Sequence, residues 1–385
     1  MNIIPYGKQS IDKEDIKTVV RSLKENLLTT GNYVNLFEKK AKEYFKSKFV
    51  LSCTSGTAAI HIALKSIDLK KDDIVIMPSI NFISSYNISK MLNAKVFLAD
   101  VDPLTGQMTP ELVEECIKIN KLKKVKLIIT MYLGGYPENI YNFYKLKKKF
   151  KCYLMEDACH ALGASYKFRN KKIMIGSCYH SDISVFSLHP VKSITSGEGG
   201  LITTNSKKIF NKMKLFRSHG IERKKNYWQY DVILNGYNYR LSDINCSLGL
   251  SQFKKINRFI KKRNFIFNRY VKNLISKNNL LNNIKYDKST KSAFHLFLLS
   301  VNFKKLGLTK EHLIKYLLKN KIKPQFHYIP IYKFKIFKEK VKIKNFYGTE
   351  TYFKNSLSIP IFFDLSIAEQ DKVIDKIKKF ILKNK

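Results

Sequence analysis

Between Phe49 and Thr204 the sequence switches repeatedly from strand-length apolar runs to helical spacing, and this alternation limits the possible folds more than any other feature. The runs are FVLSC (Phe49–Cys53), IVIMP (Ile74–Pro78), KVFLADVD (Lys95–Asp102), KLIITMYL (Lys126–Leu133), CYLMEDA (Cys152–Ala158), ISVFSL (Ile183–Leu188) and GLITT (Gly200–Thr204). Helical patterns separate several of them, among them Pro110–Lys118 and Ile140–Phe150. Short, near-continuous apolar strands alternating with helices predict an α/β domain whose sheet is mostly parallel and covered on both faces. In such sheets ligands gather at the carboxyl ends of the strands.

Both ends of the chain depart from this rhythm. Asp12 to Asn26 reads as an amphipathic helix with Ile16, Val19, Val20 and Leu23 on one face, and Asp12 with Asp15 as a capping pair. A turn at Gly31 leads to a second helix through Phe37, Ala41 and Tyr44. From Ser242 to about Leu274 the spacing predicts one long helix, whose basic run KKINRFIKKRN is expected on a solvated face. A strand (Ala293–Val301), a helix (Thr309–Asn320), a strand region around KPQFHYIP and a final helix (Ser366–Lys383) complete a smaller α+β unit. The expected division is an N-terminal arm and large domain over 1–255 and a small C-terminal domain over 256–385.

The chain's 385 residues suffice for two such units with a large core. Its formal charge is +41, from 71 Lys+Arg against 30 Asp+Glu, which raises a nucleic-acid-binding reading. The excess is mostly lysine spread from end to end, whereas base and phosphate recognition favours the planar arginine fork. A solvated surface whose positive field attracts an anionic small substrate is the better account. Cys53, Cys116, Cys152, Cys159, Cys178 and Cys246 form no CxxC pair or zinc-finger spacing, so no metal is expected and reduced thiols are. The first residues lack a signal-peptide pattern and no apolar run is of membrane-spanning length, so a cytoplasmic protein is expected.

Four clusters carry candidate chemistry. Ser52 to Ala59 joins a strand end to a helix start, where backbone amides and hydroxyls can cradle a phosphate, or merely cap the helix. Glu156-Asp157-Ala158-Cys159-His160 puts an acid at a strand end, able to hold the nitrogen of a pyridine ring protonated or simply to bind neighbouring amides. SLHPVKSITSGEGG (Ser187–Gly200) sets Lys192 in a glycine-rich loop between strands, a setting that suits an amine attacking an aldehyde. NGYNYRLSDI (Asn235–Ile244) offers Asn238 and Arg240 beside a helix start, suited to anion contacts or capping.

The ordered set SGT, EDACHALGA, SVFSLHPVKSITSGEGG and GYNYRLSDI resembles the DegT/DnrJ/EryC1/StrS sugar aminotransferases, from IPYGKQSID to SLSIPIF near the C-terminus. The resemblance implies a fold-type I transferase dependent on pyridoxal 5'-phosphate, with a mostly parallel seven-stranded sheet and a smaller C-terminal α+β domain. It assigns Lys192 as the lysine that bonds to the cofactor and moves the proton, Asp157 as the partner of the ring nitrogen, and Phe82 as the aromatic on one ring face. His160 falls beside the cofactor, and Gly56, Thr57 and Ser187 on its phosphate. Asn238 would reach the phosphate of a neighbouring subunit, so a homodimer with shared sites is implied. A branch of the family that carries histidine in place of the lysine performs dehydration, and retention of Lys192 favours transamination.

Within the family, the opening IPYGKQSIDKEDI, Ser218–Ile221, YWQYDVILNGYNYR and PQFHYIPIY are similar to aminotransferases acting on UDP-4-keto sugars of the pseudaminic acid pathway, with L-glutamate as amino donor. That likeness implies sugar contacts at Tyr6, Asn26, Leu27, Leu28, Thr29, Gly56, Ser187, Asn238, Gln325, Phe326, His327 and Tyr328. Gly56 stands where alanine is common and Leu28–Gly31 is a loose copy of an LTQG-like turn. These departures keep another nucleotide 4-keto sugar, of the perosamine or bacillosamine and legionaminic type, as the alternative substrate.

Overall fold

The computed structural model describes residues 3–226, 228–276, 279–284, 289–339 and 341–384. Tyr227, which opens the YWQY loop, lies outside the described residues. The seven apolar runs form the seven strands of one sheet: β1 Phe49–Cys53, β2 Ile74–Pro78, β3 Lys95–Ala99, β4 Leu127–Met131, β5 Tyr153–Asp157, β6 Ile183–Ser187 and β7 Gly200–Thr204. Their order across the sheet is β1-β7-β6-β5-β4-β2-β3. Only β7 runs against its neighbours, pairing antiparallel with β1 and β6 while every other pair is parallel. β4 is buried along its whole length, the pattern of a strand covered on both faces.

The C-terminal unit has a three-stranded antiparallel sheet, Leu281–Asn283, Phe297–Val301 and Ser356–Ile359, with helices Lys310–Lys319 and Ile367–Lys383. The extreme N-terminus joins this unit: Ile4–Pro5 pairs in parallel with Ile322–Lys323. The expected strand around KPQFHYIP shrinks to Ile322–Lys323, and Gln325 keeps only an isolated bridge to Ser358. Gln325 to Tyr328 are thereby left in a loop that faces the sheet's carboxyl edge. The expected long helix breaks at Lys255 into Asp243–Lys254 and Ile256–Tyr270, with no glycine or proline to announce the break. Within the basic run, Arg263 is buried and donates from Nη1 to the carbonyl oxygens of His295 (3.1 Å) and Ile361 (2.8 Å), so that position is not on a solvated face.

The first helix, Lys13–Ser22, is capped by Asp12 and Asp15 as the spacing predicts, yet it packs the opposite way round. Asp15, Thr18 and Ser22 are buried, whereas Ile16 is 58 % exposed, Val20 47 % and the C-cap Leu23 54 %. Polar partners explain the inversion. Asp15 accepts hydrogen bonds from Ser251 Oγ (2.6 Å) and Gln252 Nε2 (2.7 Å) and pairs with Lys255 Nζ at 2.7 Å. A buried carboxylate with three such partners is satisfied, and the apolar stripe is turned outward.

Candidate active site

The carboxyl ends of β1, β2, β5 and β6 open onto a cavity of about 720 Å³, well within the size range of small-molecule sites. Pleating selects which acid enters it. Asp157 faces the cavity, while Glu156, one residue earlier and so on the opposite face, is buried against Tyr132 Oη (2.9 Å) and Ser184 Oγ. Asp157 accepts long hydrogen bonds from Cys159 N at 3.3 Å and Ser85 Oγ at 3.4 Å. Burial pushes its carboxyl above the usual carboxylate range, opposed by its contacts with Cys159 and by the charge of Lys192. A carboxylate so placed gains from a cation brought against it.

Lys192 lies in the loop joining the antiparallel strands β6 and β7. The loop closes on itself through Leu188 N to Gly199 O (2.8 Å), Thr195 Oγ1 to Leu188 O (2.9 Å) and Ser196 N to Leu188 O (3.1 Å). A Cβ at Gly200 would lie 2.3 Å from Ser55 O, so glycine there lets the loop's return strand pass against the turn after β1. Burial draws the Lys192 ammonium below its ordinary value, against the opposing pull of Cys159 and Asp157. A larger share of neutral, nucleophilic amine results.

At the end of β1, Ser55 caps the helix Gly56–Ser66 by accepting from Ala58 N at 3.0 Å. A Cβ at Gly56 would stand 2.9 Å from that of Ser187, so its absence brings the Ser187 hydroxyl up to the helix N-terminus. The free amides of the first turn and that hydroxyl together suit a phosphate. Phe82, after β2, is 51 % exposed and holds its ring 5.7 Å from that of Tyr328. Tyr6 enters because Ile361 N binds its carbonyl oxygen (3.0 Å), and its ring lies 5.2 Å from His327. His327 Nδ1 lies 2.8 Å from Ser358 Oγ. His160 lies between Gly134 N (3.3 Å from Nδ1) and Tyr328 Oη (2.9 Å from Nε2), and burial and the charge of Lys192 push it well below the ordinary histidine value.

Of the sequence-predicted residues, Tyr6, Gly56, Thr57, Phe82, Asp157, His160, Ser187, Lys192 and Gln325 to Tyr328 share this cavity. Asn26, Leu27, Leu28, Thr29 and Asn238 do not line it. Thr29 bridges to Ser242, and Asn238, exposed, bridges to Ser218. Both sites border a separate basic hollow lined by Thr29, Arg217, Ser218, His219 and Arg240. The sequence left Asn81, Ser85 and His295 unmarked and gave Cys159 no role of its own within its cluster. The amide oxygen and nitrogen of Asn81 and both ring nitrogens of His295 are buried at the cavity without a partner among the described residues. Asn81 adjoins Phe82 in PSINFISS, a signal that was available, whereas His295 sits unmarked in an apolar run just before the strand Phe297–Val301.

A helix N-terminus with a hydroxyl beside it, a desolvated lysine, a buried acid, an exposed aromatic ring and unpartnered buried polar atoms are groups that would fit pyridoxal phosphate. Fold and site thus define a PLP-dependent aminotransferase, and the chain belongs to the DegT/DnrJ/EryC1/StrS aminotransferase family, whose profile matches residues 9–378. Among its relatives is the UDP-4-amino-4,6-dideoxy-N-acetyl-beta-L-altrosamine transaminase of Campylobacter jejuni, 34 % identical over 98 % of this chain and 99 % of that one. The aminotransferase PseC of Helicobacter pylori, involved in pseudaminic acid biosynthesis, superposes with a TM-score of 0.88 at 28 % identity, covering 98 % of this chain and 99 % of that one. A Streptococcus pneumoniae chain solved in its PLP form shares the fold across the full length of both chains, with a TM-score of 0.89 and 23 % identity.

Proposed function

We propose that this protein moves the amino group of L-glutamate to C4 of a UDP-linked 4-keto-6-deoxy-N-acetylhexosamine, in pseudaminic acid or related surface-glycan synthesis. The observation that carries the reading is the pairing of Lys192 and Asp157 in one cavity that the Gln325–Tyr328 loop also borders, in a chain similar from end to end to a transaminase named for such a product.

Pyridoxal phosphate, when bound, supplies an electron sink that lets an amino group and a proton change carbons. Asp157 would hold the ring nitrogen's proton, each charge relieving the other's burial. Gly56 and Thr57 amides with Ser187 Oγ would bind the phosphate, and Phe82 would cover one ring face. Lys192 Nζ would carry the cofactor at rest and, once displaced, move the proton between donor or acceptor carbon and cofactor as general base and acid. Tyr6 and Gln325 to Tyr328 would line the sugar's path.

The reading includes a homodimer. Ile16, Val20, Leu23 and Leu27 (57 % exposed) present an apolar stripe, and Tyr230, Val232 and Ile233 a second exposed apolar group near the basic hollow. A second copy covering these faces would bring Asn26–Thr29 and Asn238 to the partner's cavity, which accounts for their absence from their own. The enzyme is expected to act in the cytoplasm, and among the described residues no helix is long and apolar enough to cross a membrane.

One panel tests the substrate: purified protein, glutamate and several UDP- and dTDP-4-keto sugars, with the configuration of the product at C4 read by NMR. Amination of a UDP-4-keto-6-deoxy-N-acetylhexosamine is expected. Turnover only on a dTDP-linked sugar would move the assignment to the alternative substrates.

A further inference from the structure

The hydrogen-bond chain behind the cavity has a direction. Gly134 N lies 3.3 Å from His160 Nδ1, and a backbone amide can only donate, so Nδ1 must present its lone pair. A neutral imidazole with Nδ1 bare carries its single hydrogen on Nε2. That nitrogen is 2.9 Å from Tyr328 Oη. The ring N–H therefore donates, the phenol oxygen accepts, and the phenol's own hydrogen is turned away from His160. Among the described residues no second group bonds Tyr328 Oη, and Tyr328 lines the cavity close to Phe82.

We propose that Tyr328 is a hydrogen-bond donor aimed into the cavity at an electron-rich oxygen of the bound ligand, and that His160 is the positioning residue that sets its direction. The acceptor chemistry, a phenolate-like or carbonyl oxygen, has two sources: the ring oxygen of the cofactor, or the C4 keto oxygen of the sugar. Burial and the nearby Asp157 charge push the phenol well up, so Tyr328 keeps its proton and acts by polarising that oxygen. The choice of ligand rests on the transamination reading above, whereas the direction of the O–H rests on His160 alone.

The histidine tautomer tests the direction without any turnover. A two-bond ¹H–¹⁵N spectrum of the whole chain, with and without cofactor, should show His160 neutral with its hydrogen on Nε2, its signals assigned by their loss in His160→Gln. Hydrogen on Nδ1, or a doubly protonated ring, overturns the proposal. In the cofactor-loaded enzyme, Tyr328→Phe should slow at least one half-reaction by about tenfold or more, the usual scale for a hydrogen bond to developing charge. If the acceptor is the cofactor's oxygen, the pH titration of its absorbance also shifts. If it is the sugar's, the titration stays and only the half-reaction with keto sugar slows. If no half-reaction slows and the titration stays where it was, the proposal is overturned. His160→Gln, which keeps a donor toward Oη, should retain more activity than His160→Leu, and equal losses contradict the positioning role. Failure of the transamination reading looks different: the wild-type enzyme would change colour with neither glutamate nor a keto sugar.

Discussion

The cavity and the outer face of the Lys13–Ser22 helix solve opposite problems. In the cavity, side chains from distant segments converge, Tyr328 Oη meeting His160 Nε2 across 168 residues of sequence, and two of them, Asn81 and His295, have no partner among the described residues. On the outer face polar groups are paired inward, and the apolar stripe Ile16, Val20 and Leu23 is left to solvent. Unmet polar groups inside and unmet apolar groups outside are each half of an interaction. On the reading proposed above, the first half awaits cofactor and sugar and the second another copy of the chain. Two residue groups expected at the site, Asn26–Thr29 and Asn238, lie on the outer side of this divide, which ties the two regions together.

Loss of function should be greatest at the cavity's amine. Lys192→Ala should abolish transamination of glutamate while leaving cofactor bound without a covalent link, seen as absorbance lost on dialysis. Retained turnover would remove the cavity's central group from the chemistry. Asp157→Asn should slow both half-reactions by more than about tenfold, or ~1.4 kcal/mol of barrier, with an unchanged melting temperature. A smaller loss would mean that the buried acid needs no ionic partner.

The outer face yields to mixing. If sites are shared, inactive Lys192→Ala and Asn238→Ala chains refolded together should recover about a quarter of wild-type activity, because half the dimers carry one intact site of their two. No recovery would separate the two regions. Leu23→Glu should turn the dimer into monomer in sedimentation, and an unchanged sedimentation coefficient would leave the stripe unexplained.

The smallest expected effect concerns acid. Burial, with the charge of Lys192, lowers the His327 ring from the ordinary 6.5 to about 3, and His160 and His295 shift the same way. Between those pH values the unfolded chain binds a proton that the folded chain refuses, so stability is lost as pH falls, by up to ~1.4 kcal/mol per unit from His327. Urea midpoints at pH 7 and pH 5 check it, and equal midpoints would contradict the burial.

Much of the sheet was legible because buried strands are short, apolar and bounded by turn residues. Ile74–Pro78 and Gly200–Thr204 coincide with their sequence ranges to the residue. The Lys13–Ser22 helix was legible as a helix but not in its orientation, since helical spacing reveals an apolar face without saying what covers it. The break at Lys255 left no trace because its backbone, at φ −99° and ψ −1°, is open to any residue and needs no glycine or proline. Within the site, short motifs flagged Lys192 and Asp157. The Gly134–His160–Tyr328 chain was invisible because it joins segments that meet only in the folded molecule.

Everything proposed for the cavity depends on the Lys192 amine taking hold of the cofactor. Borohydride reduction of the PLP-loaded protein, followed by peptide mapping, tests it directly. One modified peptide is expected, carrying the reduced cofactor on Lys192. Cofactor fixed to a different lysine, or to none, would contradict it.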